Sequence, residues 1–143
     1  MCALKTVVFV CTGNTCRSQM AAALFCDNMS ELYAEQVTAC SAGLMAHAGD
    51  PPAANAVLAM AQLGINITAN RASNLNAELL ENTDLFVCME ASHVEYLRRA
   101  GVPAEKLMNL DISDPYGGDL ETYLKCRDLI SSKLPSVYER LGV

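Results

Sequence analysis

Apolar residues follow two alternating patterns along the chain, short β-branched runs and longer stretches in which they recur every three or four positions. The first pattern is typical of buried strands and the second of amphipathic helices. Together they predict strands at residues 6–10, 36–41, 85–89 and 106–109, and helices at residues 18–35, 52–63, 76–81, 91–100 and 120–141. Strands that alternate with helices favour an α/β fold, here a four-stranded parallel sheet with helices on both faces.

Glycines and prolines mark the turns between these elements, and no spacer is long enough to separate domains. A chain of 143 residues with 52% hydrophobic content can fill one core without disulfides or metals. We therefore expect one domain that spans residues 1–143.

The charge balance narrows the choice of partners. The formal net charge is −6 and the 10 lysines and arginines are scattered, so the chain offers no basic stripe for nucleic acid or for an anionic membrane. The apolar run near the N-terminus is too short for a signal peptide or a membrane span. These features predict a cytoplasmic protein.

Cysteine and histidine usage argues against a disulfide framework and against a metal site. The cysteines are odd in number, 7 in all, and we expect most of them to be reduced. Five are predicted to be buried as small hydrophobic residues, namely Cys2, Cys26, Cys40, Cys88 and Cys126. His47 and His93 have no ligand-like spacing and are assigned to surface or capping positions. Neither a metal nor any other cofactor is predicted.

One stretch, "VVFVCTGNTCRSQM" at residues 7–20, carries candidate chemistry. Cys11 ends the first predicted strand, and open parallel sheets bind ligands beyond the carboxyl ends of their strands. A short loop follows, and its backbone N–H groups can converge on an anion at the start of the helix. The residues of this predicted anion-binding loop are Thr12, Gly13, Asn14, Thr15 and Cys16.

Arg17 and Ser18 complete the predicted anion site. The guanidinium of Arg17 is a planar fork that can hold two phosphate oxygens, and its charge, together with the helix start, favours the thiolate form of Cys11. A thiolate that faces a bound oxyanion is a nucleophile aimed at the central atom, and Ser18 can donate its hydroxyl to the sulfur. Gly13 allows the backbone to approach the ligand, while Asn14 tolerates left-handed dihedral angles.

The motif "VCTGNTCRS" at residues 10–18 resembles the signature of the low-molecular-weight protein tyrosine phosphatase family, and most of all its bacterial protein arginine phosphatase branch. Four further motifs are similar to those of the family in order and spacing: "SAG" at 41–43, "GINITANRAS" at 64–73, "DLFVCME" at 84–90 and "DPYGG" at 114–118. The resemblance implies a flavodoxin-like architecture, no metal and a cysteinyl-phosphate intermediate. It also implies Cys11 as the nucleophile, Arg17 as the phosphate clamp and Asp114 as the general acid.

The chain differs from the family pattern at three positions. Gln19 stands where the family usually has proline, Ala22 where it has glutamate, and Asn70 where many members have histidine. The first change is expected to soften the helix start without touching the chemistry. The other two predict that the hydrogen bonds that orient the loop are rewired.

Four functions compete for this site. A phosphatase that acts on phosphoarginine in proteins is favoured, because the Thr15 hydroxyl can face a guanidinium and Tyr116 is the one obvious aromatic wall. A tyrosine phosphatase is the closest rival. An arsenate reductase needs two further cysteines after the third strand, where only Cys88 lies, and a phosphoprotein-binding module would be expected to lose Cys11 or Asp114. Phosphorylated proteins are therefore the predicted partners, and the oligomeric state is left open.

The loop also predicts sensitivity to oxidation. An accessible thiolate such as Cys11 is the first sulfur that peroxide converts into a sulfenic acid. Cys16 lies in the same short loop and can resolve that acid as a disulfide. We therefore expect reversible inactivation through a bond between Cys11 and Cys16.

Overall fold

The computed structural model describes residues 4–142, apart from the side chain of Leu32. Cys2, which the sequence predicts to be buried, lies outside the described residues. The elements are, in chain order, β1 (Lys5–Cys11), α1 (Arg17–Asp27), α2 (Glu31–Ala34), β2 (Val37–Gly43), α3 (Ala54–Ala61), α4 (Ala77–Asn82), β3 (Leu85–Cys88), α5 (Ala91–Arg99), a 3-10 turn (Ala104–Lys106), β4 (Leu107–Asn109) and α6 (Leu120–Leu141).

The four strands form one parallel sheet in the order β2-β1-β3-β4. The central strand β1 pairs with β2 along its whole length, as far as Cys11 opposite Gly43, and with β3 as far as Val10 opposite Cys88. Because the chain leaves β1 toward β2 and later returns on the other side of β1, the carboxyl end of β1 is a topological switch point. The loop after β1 therefore opens into the crevice where such sheets bind ligands.

Alternate residues of β1 supply two halves of the core. Val7 and Phe9 pack with α1, α3 and α6 on one face of the sheet. Val8 and Val10 pack with α4 and α5 on the other face. All four side chains are fully buried, which is why β1 appears in the sequence as an uninterrupted apolar run.

The fold class predicted from the sequence is confirmed, and most element boundaries differ from the predicted ones by no more than two residues. The predicted helix at residues 18–35 is wrong in its extent, because α1 and α2 are separated at residues 28–30. The side chain of Ser30 accepts a hydrogen bond from the backbone N–H of Tyr33 at 3.2 Å and so starts α2 as a new helix. A serine cap of this kind competes with continuation of the preceding helix.

The cysteines divide into buried and accessible ones. Cys88 and Cys126 are buried, as predicted, and burial raises the pKa of each thiol to about 12. For Cys26 the prediction is wrong, since helix α1 turns this side chain away from the face that it buries against the sheet. Cys40 is half-buried, because β2 is an edge strand.

Residues 4–142 contain neither a metal-binding cluster nor a membrane-spanning helix. No group of three or more histidine, cysteine or acidic side chains is arranged to hold a metal ion there. Over the same residues, no helix combines the length and the apolar character needed to cross a membrane.

Candidate active site

A cleft of about 320 Å³ opens at the carboxyl end of β1. The seven consecutive residues 11–17, here called the cysteine loop, line it together with Asp114 from the segment after β4. Ser18 is the one predicted site residue outside the wall, because it is fully buried beneath the loop. The predicted nucleophile, clamp and acid thus face one space.

Asn14 lies at the centre of the cysteine loop. It is fully buried and has a left-handed backbone φ of 55°. Its amide nitrogen donates to Ser18 Oγ at 2.8 Å and to Ser41 Oγ at 2.9 Å, and its side-chain oxygen accepts from the backbone N–H of Ser73 at 2.9 Å. A left-handed residue within a turn directs successive N–H groups toward one concavity, as in anion-binding nests. The hydrogen bonds of the side chain hold the loop in that conformation.

Gly43 gives a physical reason for the "SAG" motif. A Cβ atom at this position would lie 2.7 Å from the carbonyl oxygen of Thr12 and 3.2 Å from Cβ of Asn14. The same Thr12 carbonyl accepts from the backbone N–H of Met45 at 2.9 Å. The end of β2 therefore packs against the cysteine loop at a distance that only glycine permits.

The sulfur of Cys11 has two polar contacts, one with Ser18 beneath the loop and one with Asn14 within it. Ser18 Oγ lies 2.8 Å from Sγ, and the backbone N–H of Asn14 donates to Sγ at 3.2 Å. Because Ser18 Oγ already accepts from the Asn14 amide, its own hydrogen is available to the sulfur. Both donors can stabilise negative charge on Sγ.

Two hydrogen bonds hold the side chain of Arg17 in place. Its Nη1 donates to the carbonyl oxygen of Ile112 at 2.9 Å, and its Nη2 donates to Glu90 Oε1 at 3.0 Å. A guanidinium has five N–H donors, so these two bonds leave three for the oxygens of a ligand. The arginine is only 2% exposed, and its fork is therefore oriented in advance toward an anion in the cleft.

Asp114 stands at the mouth of the cleft, where its side chain is 51% exposed. Its Oδ1 accepts from the backbone N–H of Tyr116 at 3.0 Å, and its Oδ2 lies 3.8 Å from Nη2 of Arg17. The turn that carries it is tight, since a Cβ atom at Gly118 would lie 2.9 Å from the carbonyl oxygen of Pro115. The carboxylate is thus held where it can exchange a proton with a group that leaves the anion.

Sequence reasoning missed Glu90 and was wrong about His93. The imidazole of His93 is 2% exposed instead of lying at the surface. Its Nε2 lies 3.0 Å from Thr12 Oγ1 and 3.3 Å from Glu90 Oε1, the oxygen that also holds Arg17. Burial lowers the pKa of His93, although the Glu90 carboxylate opposes that shift. The only local signal was a glutamate three residues before a histidine at a helix start.

Gln19 and Asn70 brace the loop from the side of α1. The amide nitrogen of Gln19 donates to the carbonyl oxygen of Asn14 at 3.2 Å, and its Oε1 accepts from Asn70 Nδ2 at 3.0 Å. Gln19 thus contacts the central residue of the loop, a contact that the sequence did not predict. Two departures from the family pattern form one hydrogen-bonded pair.

Cys16 is buried where the loop meets α1. Its Sγ lies 3.3 Å from the hydroxyl oxygen of Tyr123. Burial raises the pKa of Cys16, while hydrogen bonds with Tyr123 and Thr15 partly offset the shift. Cys16 is consequently a thiol at neutral pH.

The outer wall of the cleft consists of His47, Asp50 and Tyr116, all exposed. The surface position of His47 is confirmed, but its place in this wall could not be read from its isolated position in the sequence. Just beyond Asp50, the backbone N–H of Ala53 donates to the carbonyl oxygen of Thr15 at 3.0 Å. This bond joins the outer wall to the cysteine loop.

Comparisons with known proteins show which family the chain is similar to. The family model for low molecular weight phosphotyrosine protein phosphatase matches residues 6–142. The protein-arginine-phosphatase of Bacillus subtilis (strain 168) is 32% identical over 145 residues, which cover 94% of this chain and 95% of that protein. An arsenate reductase of Bacillus cereus (strain 03BB102) is 32% identical over 130 residues, or 91% of each chain.

A solved structure extends the comparison to three dimensions. The low molecular weight protein tyrosine phosphatase from T. tengcongensis superposes with a TM-score of 0.85 at 35% identity, and the match covers 95% of this chain and 99% of that one. This chain belongs to the low molecular weight phosphotyrosine protein phosphatase family.

Proposed function

We propose that this protein is a cysteine-dependent phosphatase that hydrolyses phosphoarginine in proteins. The observation that carries the proposal is the convergence of Cys11, Arg17 and Asp114 on one cleft, with Thr15 in its wall. The similarity to the Bacillus subtilis protein-arginine-phosphatase supports the choice of amino acid.

In the first half of the reaction, the thiolate of Cys11 attacks phosphorus. The sulfur–phosphorus bond forms as the phosphorus–nitrogen bond breaks. Arg17 and the backbone N–H groups of the cysteine loop hold the equatorial oxygens and offset the charge that develops on them. Asp114, in its protonated form, gives its proton to the departing guanidino nitrogen. The products are a cysteinyl phosphate and an unmodified arginine side chain.

In the second half, Asp114 is a carboxylate and acts as a base. It takes a proton from a water molecule, whose oxygen attacks phosphorus while the sulfur–phosphorus bond breaks. Inorganic phosphate is released and the Cys11 thiolate is restored. Ser18 Oγ, 2.8 Å from the sulfur, stabilises the thiolate as it leaves.

The wall of the cleft suits a planar polar group better than a phenyl ring. A phosphorylated guanidino group keeps N–H donors, and the hydroxyl of Thr15 and the carboxylate of Asp50 are acceptors in the wall. A phenyl ring is best held between two aromatic walls. Among the described residues that line the cleft, Tyr116 is the only phenylalanine, tyrosine or tryptophan.

A tyrosine phosphatase is the second candidate. The 35% identity with the T. tengcongensis enzyme favours it, as does Tyr116, which is 79% exposed and can stack on a phenyl ring. Arsenate reduction is less well supported, because Cys88 is fully buried and no second cysteine follows before residue 126. A module that binds phosphoproteins without turnover would not require both Cys11 and Asp114.

The decisive experiment offers the purified protein equal concentrations of two peptides of the same sequence, one with phosphoarginine and one with phosphotyrosine. We expect faster initial release of inorganic phosphate from the phosphoarginine peptide. Faster release from phosphotyrosine would assign the second function. Hydrolysis of neither peptide, together with thiol-dependent reduction of arsenate, would reject the proposal.

A further inference from the structure

His93 lies beneath the cleft, and the reaction steps above give it no role. It is the third residue of α5, and its Nε2 lies between Thr12 Oγ1 at 3.0 Å and Glu90 Oε1 at 3.3 Å. Its Nδ1 is buried and has no hydrogen-bond partner among residues 4–142. A buried polar atom without a partner destabilises the fold, so packing alone does not account for an imidazole here.

The contacts of the ring decide which nitrogen carries its hydrogen. The carboxylate of Glu90 can only accept, so the contact with it requires a hydrogen on Nε2. A hydrogen on Nδ1 would be buried without an acceptor, which disfavours both the other tautomer and the imidazolium. His93 is therefore neutral, with its Nε2–H directed at Glu90 and Thr12.

This N–H group acts on a carboxylate that would otherwise be loosely held. The side chain of Glu90 is 43% exposed, yet its Oε1 must stay 3.0 Å from Nη2 of Arg17 to keep the guanidinium in place. A half-exposed glutamate loses rotamer freedom when it is held in one position. His93 restricts the same oxygen from the buried side and also contacts Thr12, the residue directly after Cys11.

We propose that His93 is a positioning residue for phosphoryl transfer: through Nε2 it ties Glu90 to Thr12 and so holds the guanidinium of Arg17 toward the phosphate oxygens. The inference rests on the phosphatase activity proposed above. The charged groups that face the ring are Glu90 before α5, Arg17 on α1 and Asp114 after β4. Burial and Arg17 lower the pKa of His93 and together outweigh the two carboxylates, which raise it.

Two substitutions at His93 distinguish the effect of its hydrogen bond from the effect of its volume. The amide of His93→Gln can place a donor close to Nε2, whereas His93→Leu fills the space without one. We expect His93→Leu to lower kcat/KM for a small aryl phosphate about tenfold, and His93→Gln to stay within about threefold of the parent. The aryl phosphate makes the result independent of any preference between arginine and tyrosine.

Binding of inorganic phosphate, measured by calorimetry, gives a second readout that needs no turnover. It should weaken about tenfold in His93→Leu, because a misplaced guanidinium also binds the free anion less well. A parent that binds phosphate but hydrolyses neither the aryl phosphate nor a phosphoarginine peptide would contradict the proposed function and leave this binding test of His93 intact.

The pH dependence distinguishes positioning from packing. The ratio of parental kcat/KM to that of His93→Gln should be constant near neutral pH and fall only in acid, because burial lowers the pKa of His93 and only the parent can gain a proton at this position. A matched pair of substitutions at Thr12 tests the same contact without changing α5. Thr12→Val removes the hydroxyl, whereas Thr12→Ser keeps it. Thr12→Val should lower kcat/KM as His93→Leu does. The double variant that combines Thr12→Val with His93→Leu should have a kcat/KM no lower than that of either single variant.

Three results would overturn the inference. The first is a kcat/KM for His93→Leu equal to that of the parent. The second is an equal loss of kcat/KM in His93→Leu and His93→Gln at an unchanged melting temperature. The third is an equal kcat/KM for Thr12→Val and Thr12→Ser. The last comparison remains decisive if His93→Leu fails to fold.

Discussion

Arg17 and Glu90 form an ion pair at the floor of the cleft, with Nη2 of the arginine 3.0 Å from Oε1 of the glutamate. The side chain of the arginine is 2% exposed and that of the glutamate 43%, so the pair joins a buried charge to one at the surface. A buried guanidinium needs a partner for its charge, and breaking such a pair leaves that charge uncompensated. The position of the Arg17 guanidinium thus depends on a residue outside the cysteine loop.

Glu90→Gln is expected to lower kcat/KM for an aryl phosphate about tenfold, because the amide keeps the shape of the side chain but not the charge that holds Arg17. The matched control is Glu95→Gln on α5, which removes a half-exposed carboxylate paired with two exposed arginines, Arg98 and Arg99. Exposed ion pairs contribute little, so the control should retain parental kinetics. Equal kcat/KM for the two variants would show that Arg17 does not need Glu90.

Cys11→Ala should abolish turnover and preserve phosphate affinity, since Arg17 and the loop bind the anion whereas the sulfur attacks it. Rapid-quench sampling should detect a phosphorylated protein in the parent and none in the variant. Cys126→Ala is the control, because it removes a thiol that does not line the cleft. Turnover by Cys11→Ala at the parental rate would remove Cys11 from the mechanism.

Much of the fold and of the cysteine loop could be predicted because the signals are local. Helix α6 begins after Asp119, whose Oδ1 accepts from the backbone N–H of Thr122 at 2.9 Å, and it ends before Gly142 with a φ of 69°. Such caps mark both ends of a helix in the sequence. The break between α1 and α2 has no glycine or proline, and Ser30 was too weak a signal to reveal it.

The remainder of the site depends on contacts between distant segments. Glu90 follows Arg17 by 73 residues, and Asn70 follows Gln19 by 51. A glutamate three residues before a histidine at a helix start is also common on exposed surfaces. Only the packing of α5 beneath the loop buries His93 and turns this pair toward Arg17.

Mild peroxide should inactivate the enzyme reversibly by forming a disulfide between Cys11 and Cys16, both of which line the cleft. Closure requires the Cys16 thiolate, and burial raises the pKa of this thiol. Disulfide formation should therefore accelerate as the pH rises above neutrality, and peptide mapping by mass spectrometry can follow it.

Two variants test this redox pair. Cys16→Ala should be inactivated in a form that thiols restore poorly, because nothing resolves the sulfenic acid before further oxidation. Cys26→Ala removes an exposed thiol outside the cleft wall and should behave like the parent. A disulfide between Cys11 and any other cysteine would contradict the assignment of Cys16.

Thr15→Ile is expected to exchange the substrate preference. Thr15 is half-buried in the cleft wall, and its carbonyl oxygen accepts from the backbone N–H of Ala53 at 3.0 Å, so its position is fixed. Under the proposed function, isoleucine removes the hydroxyl that faces the guanidino group, at a cost of about 1–3 kcal/mol, which corresponds to about tenfold or more in kcat/KM. A phenyl ring meets a more apolar wall, so activity on phosphotyrosine peptides should be preserved or raised.

Thr15→Ser is the control for this exchange, because it retains the hydroxyl and should keep the parental ratio of kcat/KM for phosphoarginine over phosphotyrosine peptides. General destabilisation lowers both activities together and cannot reverse their order. If Thr15→Ile loses equal activity on both peptides at an unchanged melting temperature, selectivity resides in the outer wall of His47, Asp50 and Tyr116. That result would favour the tyrosine phosphatase, because the hydroxyl of Thr15 would then make no contact particular to a guanidino group.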